Sequence, residues 1–418
     1  MSAGPNYRDD VLALAAGAAL AVFPAAMFPL PGVANACFAF VAAVGLALLA
    51  RDILAPNAPA RSFFIEHWPL MLAMCSLPLA LAFHQVVSQH RFPDIPYVSL
   101  RFALFVPIAW ALARIAPRRI PAMQWGFVVA AAVSAVWIHE LAEGGRPPQV
   151  GNVNRIPFGN LTLLMGMMAL ISLGWRRTGR RLEIVLMVAA CAAGLYTSFV
   201  SETRGGWVAI PVLLATALCA VRRPTSREIA YALGLGTSVI ALVVGFSDRV
   251  RERVLETLVG LHQSVLLPDA PDTSISVRFE LWEASLAMFR AHPLVGVGPD
   301  GFVPALGALA GEGLIGPAAA RLTHSHNDVL YAMATLGTPG LIAILATYLV
   351  PGWYFARRLR AEDTQVRTAA AMGLALCAGF MLFGLTEAMF VITLTNAFYS
   401  LVAAACFAFV ATREQGRK

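Results

Sequence analysis

Twelve stretches of roughly 18 to 22 mostly apolar residues, each about long enough to cross the hydrocarbon core of a bilayer, recur along the chain. They fall at about 11–29, 33–50, 67–85, 98–115, 122–140, 157–174, 182–200, 205–221, 228–246, 326–350, 368–387 and 391–411. With 58% hydrophobic and 13% charged residues among 418, and a mean hydropathy of +0.69, a water-soluble globule is excluded. The expectation is an all-α polytopic membrane protein of about 12 transmembrane helices. Ala34-Asn35-Ala36 resembles a signal-peptidase site, but the apolar run resumes at once through Ala50, which predicts an uncleaved helical hairpin.

Arginine placement orients these spans, because short cytoplasmic loops accumulate positive charge. With the N-terminus inside, twenty of the 31 basic residues fall on the inner side, and every inner segment contributes. Both termini are then cytoplasmic. The net charge of +7 does not call for a nucleic-acid partner, since the one lysine is Lys418 and the arginines sit near helix ends. All six cysteines lie inside apolar runs with no CxxC, so they read as packing residues. Three regions result: residues 1–246 with spans one to nine, an outer helical loop domain over 247–322 between spans nine and ten, and residues 323–418 with the last three spans.

The most polar boundary is His324-Ser-His-Asn-Asp328, which opens span ten from the outer side. Ionisable groups at such a boundary mark a site by default. His326 is the candidate general base, since a neutral imidazole suits that role near pH 7. His324 and Asn327 stand beside it as support, although Asn327 also suits a helix cap. Arg204, in Ser201-Glu-Thr-Arg-Gly-Gly-Trp207, and Arg278, in Ser276-Val-Arg-Phe-Glu-Leu-Trp282, lie on the same predicted side. Their guanidinium forks suit phosphate oxygens, and Gly205-Gly206 would let a backbone approach a ligand. Glu202 and Glu387, the latter placed inside span eleven, could orient an arginine or compete for the base role. Arg155, Asn152, Asn154 and Arg101 add outer polar groups, and Trp282 shares a helix face with Arg278.

Within the long loop, Val250, Val254, Leu258, Leu261 and Val265 recur at helical spacing beside charged residues, which predicts an amphipathic surface helix. Val303 to Ala320, rich in small residues, is expected to form a lid. Gly296-Val-Gly298-Pro-Asp-Gly301 matches GxGxxG literally, yet Pro299 sits inside it and no strand precedes it, so a structural turn is expected. Gly337-Thr-Pro-Gly340 predicts a kink in span ten whose small residues admit a close neighbour. Asp269 and Asp272 are an isolated pair, and neither a metal site nor a cofactor is expected.

Together, Thr203-Arg204-Gly205, Arg278-(x)3-Trp282, Pro293-Leu-Val-Gly-Val-Gly298 and His326-Asn327-(x)2-Leu330-(x)6-Gly337-(x)2-Gly340-Leu341 resemble the O-antigen ligase/polymerase superfamily. The motif match covers roughly residues 195–345. The resemblance implies a GT-C-like inner-membrane glycosyltransferase with a periplasmic active site and a periplasmic loop domain. The implied donor is a polysaccharide on undecaprenyl pyrophosphate, and for a ligase the acceptor is lipid A-core. Carried over, Arg204 and Arg278 would bind the pyrophosphate while His326 activates the acceptor hydroxyl for inverting attack. Polymerases and protein O-oligosaccharyltransferases share these motifs. A lipid-linked sugar flippase is the rival of another class, but its charges belong near span centres, and here they lie at outer ends.

Overall fold

A computed structural model describes residues 7–55, 59–89, 96–142, 149–150, 153–175, 181–246 and 276–416. Ten helices among them are long and apolar enough to cross a membrane. The helices Tyr7–Ala26 and Ser226–Phe246 occupy the positions of predicted spans one and nine, so all twelve predicted windows are helical. Apart from the two-residue antiparallel pair Gln149–Val150 and Val153–Asn154, the described residues form no strands. The amphipathic stretch at 250–265, Asn152, and Asp269 with Asp272 lie outside the described residues.

The last helix, Thr393–Gln415, is the hub. Every side chain from Leu394 to Ala411 is buried, as expected of a helix that is apolar on all sides. Phe380, Phe390, Phe398 and Tyr399 pack their rings together around its start. At the periphery, Leu54, Ile342 and Trp353 are exposed, which suits a lipid-facing surface.

Charges sort to one end of this bundle. Arg358 grips Glu414 with Nε and Nη2 at 2.8–3.1 Å, and Arg413 bonds Asp363 at 2.9 Å. These pairs sit at the far ends of helices Asp328–Ala356 and Thr393–Gln415, away from His326. Arg51 and Arg114 likewise approach Asp52. Arg51, Arg114, Arg358 and Arg413 are thus held by acidic partners away from the polar boundary at 324–328.

Helix Asp328–Ala356 breaks at Gly337 (φ 65°, ψ −151°), a left-handed conformation that glycine adopts at little cost. Pro339 cannot donate to the Thr335 carbonyl, and the Thr338 N–H turns away to the Pro293 carbonyl at 2.8 Å. The two freed carbonyls are taken up by the 293–298 turn: Val297 N donates to Ala334 O at 2.9 Å and Gly298 N to Thr335 O at 2.8 Å. The Val295 carbonyl in turn contacts His84 Nδ1 at 2.6 Å. The expected kink is there: Gly337 abuts this turn, and helix Trp68–Gln89 packs close on the same stretch, with Ala80 and Leu81 against Leu336 and Ala343. The literal GxGxxG is that turn, with Gly296 and Gly298 at positive φ.

Beyond it, Phe302 and Leu306 of helix Phe302–Gly311 pack with Leu281, Ala284 and Met288 of helix Ser276–Ala291, and with Ile315 and Ala319. Glu280 accepts a hydrogen bond from Gly316 N at 2.6 Å. The stretch expected to be a lid therefore belongs to a small packed core. Its large apolar residues outweigh the small ones in setting its place.

Candidate functional site

Four segments meet at the end of the bundle opposite the arginine pairs: 201–205, the start of helix Ser276–Ala291, 324–328, and the 384–390 connection. Two of them follow from helix-end chemistry that a hydropathy window does not register. Asn327 caps helix Asp328–Ala356 by accepting from Leu330 N at 3.0 Å, which leaves His326 outside the helix. Helix Thr364–Phe383 ends at Gly384, so Glu387 lies in the connection and not inside a span as expected.

His326 has φ 50°, a left-handed conformation that costs a non-glycine residue on the order of 1 kcal/mol or more. This backbone turn aims its Nδ1 at Glu387 Oε1, 3.0 Å away. Glu387 is 2% exposed, and the same oxygen accepts from Ala388 N at 3.1 Å. Burial pushes the Glu387 carboxyl up. The His326 hydrogen bond and the charges of His326, His324 and Arg278 outweigh that and hold it below its ordinary value. An ionised carboxylate only accepts, so His326 Nδ1 is the donor in this bond, and in the neutral imidazole Nε2 is then the acceptor nitrogen. Arg278 is therefore within electrostatic reach of the same carboxylate.

His324 Nε2 stands 3.9 Å from Glu387 Oε1, and the two imidazoles meet edge to face at 4.4 Å. Burial, then the neighbouring His326, lower its proton affinity, so it stays neutral. Its Nδ1 accepts the His326 backbone N–H at 3.3 Å, which puts its own proton on Nε2. The ligand atoms of His324, His326 and Glu387 lie within 4.8 Å of one another, close enough to hold a metal ion. Sequence reading foresaw no such cluster, because 61 residues separate His326 from Glu387. The His324 tautomer works against a metal, however, since an N–H cannot act as a ligand.

Helix Arg181–Val200 closes with Glu202 N bonding Phe199 O and Thr203 N bonding Ser198 O. This is a Schellman motif in which Glu202, at φ 54°, occupies a position glycine usually takes. Arg204 then opens the short helix Arg204–Trp207. A side chain at Gly205 would collide with Thr386, and one at Gly206 with Asn160. The two glycines thus answer to protein packing and not to ligand approach, and they bring Arg204 alongside the residues flanking Glu387. Arg155 follows Asn154, which caps helix Arg155–Ile171. At Gly159, one turn on, that helix abuts Ser201 and Thr203.

Trp282 sits one turn beyond Arg278 with its ring edge on Phe279. Arg101 lies apart, fully buried, donating to the Thr393 carbonyl and to Asn35 Oδ1. It ties helix starts together. Asp328 was quoted only as part of the motif, yet it holds the 384–390 connection in place. The available signal was an acid directly beyond the cap of an apolar span.

Residues 189–345 match the family model described as O-antigen ligase, Wzy_C. The chain carries an O-antigen ligase family domain. The match includes Glu202, Arg204, Arg278, Trp282, His324, His326 and Asn327, and leaves Arg155 and Glu387 outside it. An uncharacterized protein of Haemophilus influenzae is 22% identical over 191 residues, which is 44% of this chain. The match spans 47%, about half, of that relative's length.

Proposed function

We propose that this protein is an O-antigen ligase of a bacterial inner membrane, with both termini cytoplasmic and its site open to the periplasm. It transfers polysaccharide from undecaprenyl pyrophosphate to lipid A-core. The observation that carries this reading is the His326 Nδ1–Glu387 hydrogen bond, which in the neutral imidazole makes Nε2 the acceptor nitrogen, with Arg278 within electrostatic reach of the same carboxylate.

In the proposed step, His326 Nε2 takes the proton of the acceptor hydroxyl as that oxygen attacks the anomeric carbon. Glu387 stabilises the imidazolium that forms. The bond from the anomeric carbon to the pyrophosphate oxygen breaks, and the pyrophosphate leaves with the electron pair. Arg204 and Arg278 meet the charge that develops there, a role a metal ion could otherwise fill. Attack from the face opposite the leaving group inverts the anomeric centre. His324, Asn327 and Glu202 hold the segments that present these groups, while Arg155 and Trp282 line their approach.

The test is His326→Ala in purified protein, with transfer and donor binding measured separately. We expect transfer to fall by about 10² to 10⁴, the usual contribution of a general base, with donor binding near normal. A variant keeping more than about a third of the wild-type rate would remove His326 from this role, since that loss is far below what a base contributes.

A further inference from the structure

The His326–Glu387 contact joins two segments that belong to different helix connections, and neither is held by its own helix. Three other hydrogen bonds join them, two of them through Asp328, and Tyr348 braces Asp328 from past the break in the same helix. The Asp328 backbone N donates to Gly384 O at 2.8 Å. Its Oδ1 accepts from Phe390 N at 3.0 Å, and its Oδ2 accepts from Tyr348 OH at 2.7 Å. Asn327 Nδ2 adds a bond to Leu385 O at 3.1 Å. The connection carrying Glu387 is thus pinned at 384, 385 and 390, on both sides of the carboxylate.

Tyr348 lies 20 residues on, in the segment past the Gly337 break that is brought back beside Asp328, and stacks on Phe390 at 5.1 Å. A side chain at Gly384 would stand 2.7 Å from Asp328 Oδ2 and 2.8 Å from Tyr348 OH, so glycine is required for the chain to close over this pair. Asp328 and Tyr348 are 3% and 2% exposed. A carboxylate buried this far is costly unless each oxygen finds a donor, and here an amide and a phenol supply them.

We propose that Asp328 and Tyr348 are a positioning pair that sets the His326–Glu387 contact. The inference rests on the general-base reading of His326. Neither residue touches substrate. They hold the Glu387 connection against the strained His326 backbone to the fraction of an ångström that a productive base requires.

The experiment uses the full chain in proteoliposomes, with a synthetic undecaprenyl-pyrophosphate oligosaccharide as donor and lipid A-core as acceptor. Tyr348→Phe removes one hydrogen bond and little volume. We expect kcat to fall about tenfold with donor KM unchanged. Asp328→Ala should lose more than Tyr348→Phe. Asp328→Asn should recover part of it, since an amide can accept from Phe390 N and donate to the Tyr348 oxygen.

Tyr399→Phe is the control. It loses a hydrogen bond to Thr347 O in the same aromatic core and should leave kcat unchanged. Equal effects from the two tyrosine variants would overturn the inference, as would a wild-type kcat in Tyr348→Phe. His326→Ala, run alongside, separates the two ideas. If it is inactive while Tyr348→Phe is normal, only the positioning role fails; if it stays active, the general-base reading fails first. If Asp328→Ala does not fold, Tyr348→Phe decides alone.

Discussion

Glu387→Gln isolates the charge of the carboxylate from its shape. The Glu387 Oε1 atom accepts from both His326 Nδ1 and Ala388 N. A glutamine keeps both bonds only with its carbonyl in that place, which preserves the His326 tautomer and puts the amide nitrogen where Oε2 was. What disappears is the negative charge facing the imidazolium formed during transfer. Hydrogen bonds to charged groups contribute about 1.5–3 kcal/mol, and the bond here, 3.0 Å long and partly buried, is of ordinary length. At about 1.4 kcal/mol per tenfold, the loss in kcat is roughly ten- to hundredfold. The measurement is single-turnover transfer at saturating lipid-linked donor, with donor binding followed separately and expected not to weaken. Glu387→Asp keeps the charge but withdraws it by one methylene, and should fall between wild type and glutamine. A folded Glu387→Gln variant within threefold of the wild-type rate would refute the reasoning, because the charge would then contribute nothing to the step that matters.

Arg278→Lys and Arg204→Lys preserve charge but lose the fork that can hold two pyrophosphate oxygens, so each should cost at least roughly tenfold in transfer. Wild-type rates in both would reduce the arginines to steering groups. Transfer should continue in excess EDTA, and activity lost on chelation but restored by magnesium or manganese would show that His324, His326 and Glu387 serve as ligands. Stability should fall with acid in two stages. Burial and His326 hold His324 below its ordinary 6.5, so the unfolded chain takes up a proton first and stability declines as pH drops below that value. Glu387, held below its ordinary 4.5, contributes stability above that value, and this is lost as pH falls through its folded-state pKa. His324→Gln should flatten the first decline, so thermal midpoints of the two proteins falling in parallel between about pH 7 and 5 would contradict the assignment.

The spans were legible because bilayer-length apolar windows leave a chain little choice, and each of the twelve windows is helical. Their ends were less so. The window for span eleven ran to 387, because Leu385 and Ala388 are as apolar as the helix before them, while the backbone had already turned at Gly384. The pairing of His326 with Glu387 left no local trace, since neither residue lies in an element that predicts the other's position. The glycines after Arg204 misled for a related reason. A sequence records that a backbone must come close to something, but it does not say whether that something is a ligand or Thr386 and Asn160.

The break at Gly337 connects these observations. A helix that crosses a membrane must satisfy every backbone carbonyl, and the sequence Gly337-Thr-Pro339 frees two of them within one turn. The 293–298 turn supplies the missing donors, so the segment that follows helix Ser276–Ala291 is tied to the helix that His326 precedes. Arg278 and His326 are thereby carried on elements joined through backbone hydrogen bonds, which no side-chain substitution removes directly. The same dependence explains why Gly296 and Gly337 tolerate no Cβ. At Gly296 a Cβ would meet the Thr335 backbone, and at Gly337 it would meet the Leu294 carbonyl carbon and Val295 nitrogen at 2.7 Å. Both glycines lie where the loop backbone meets the membrane helix, and the placement of Arg278 relative to His326 depends on them.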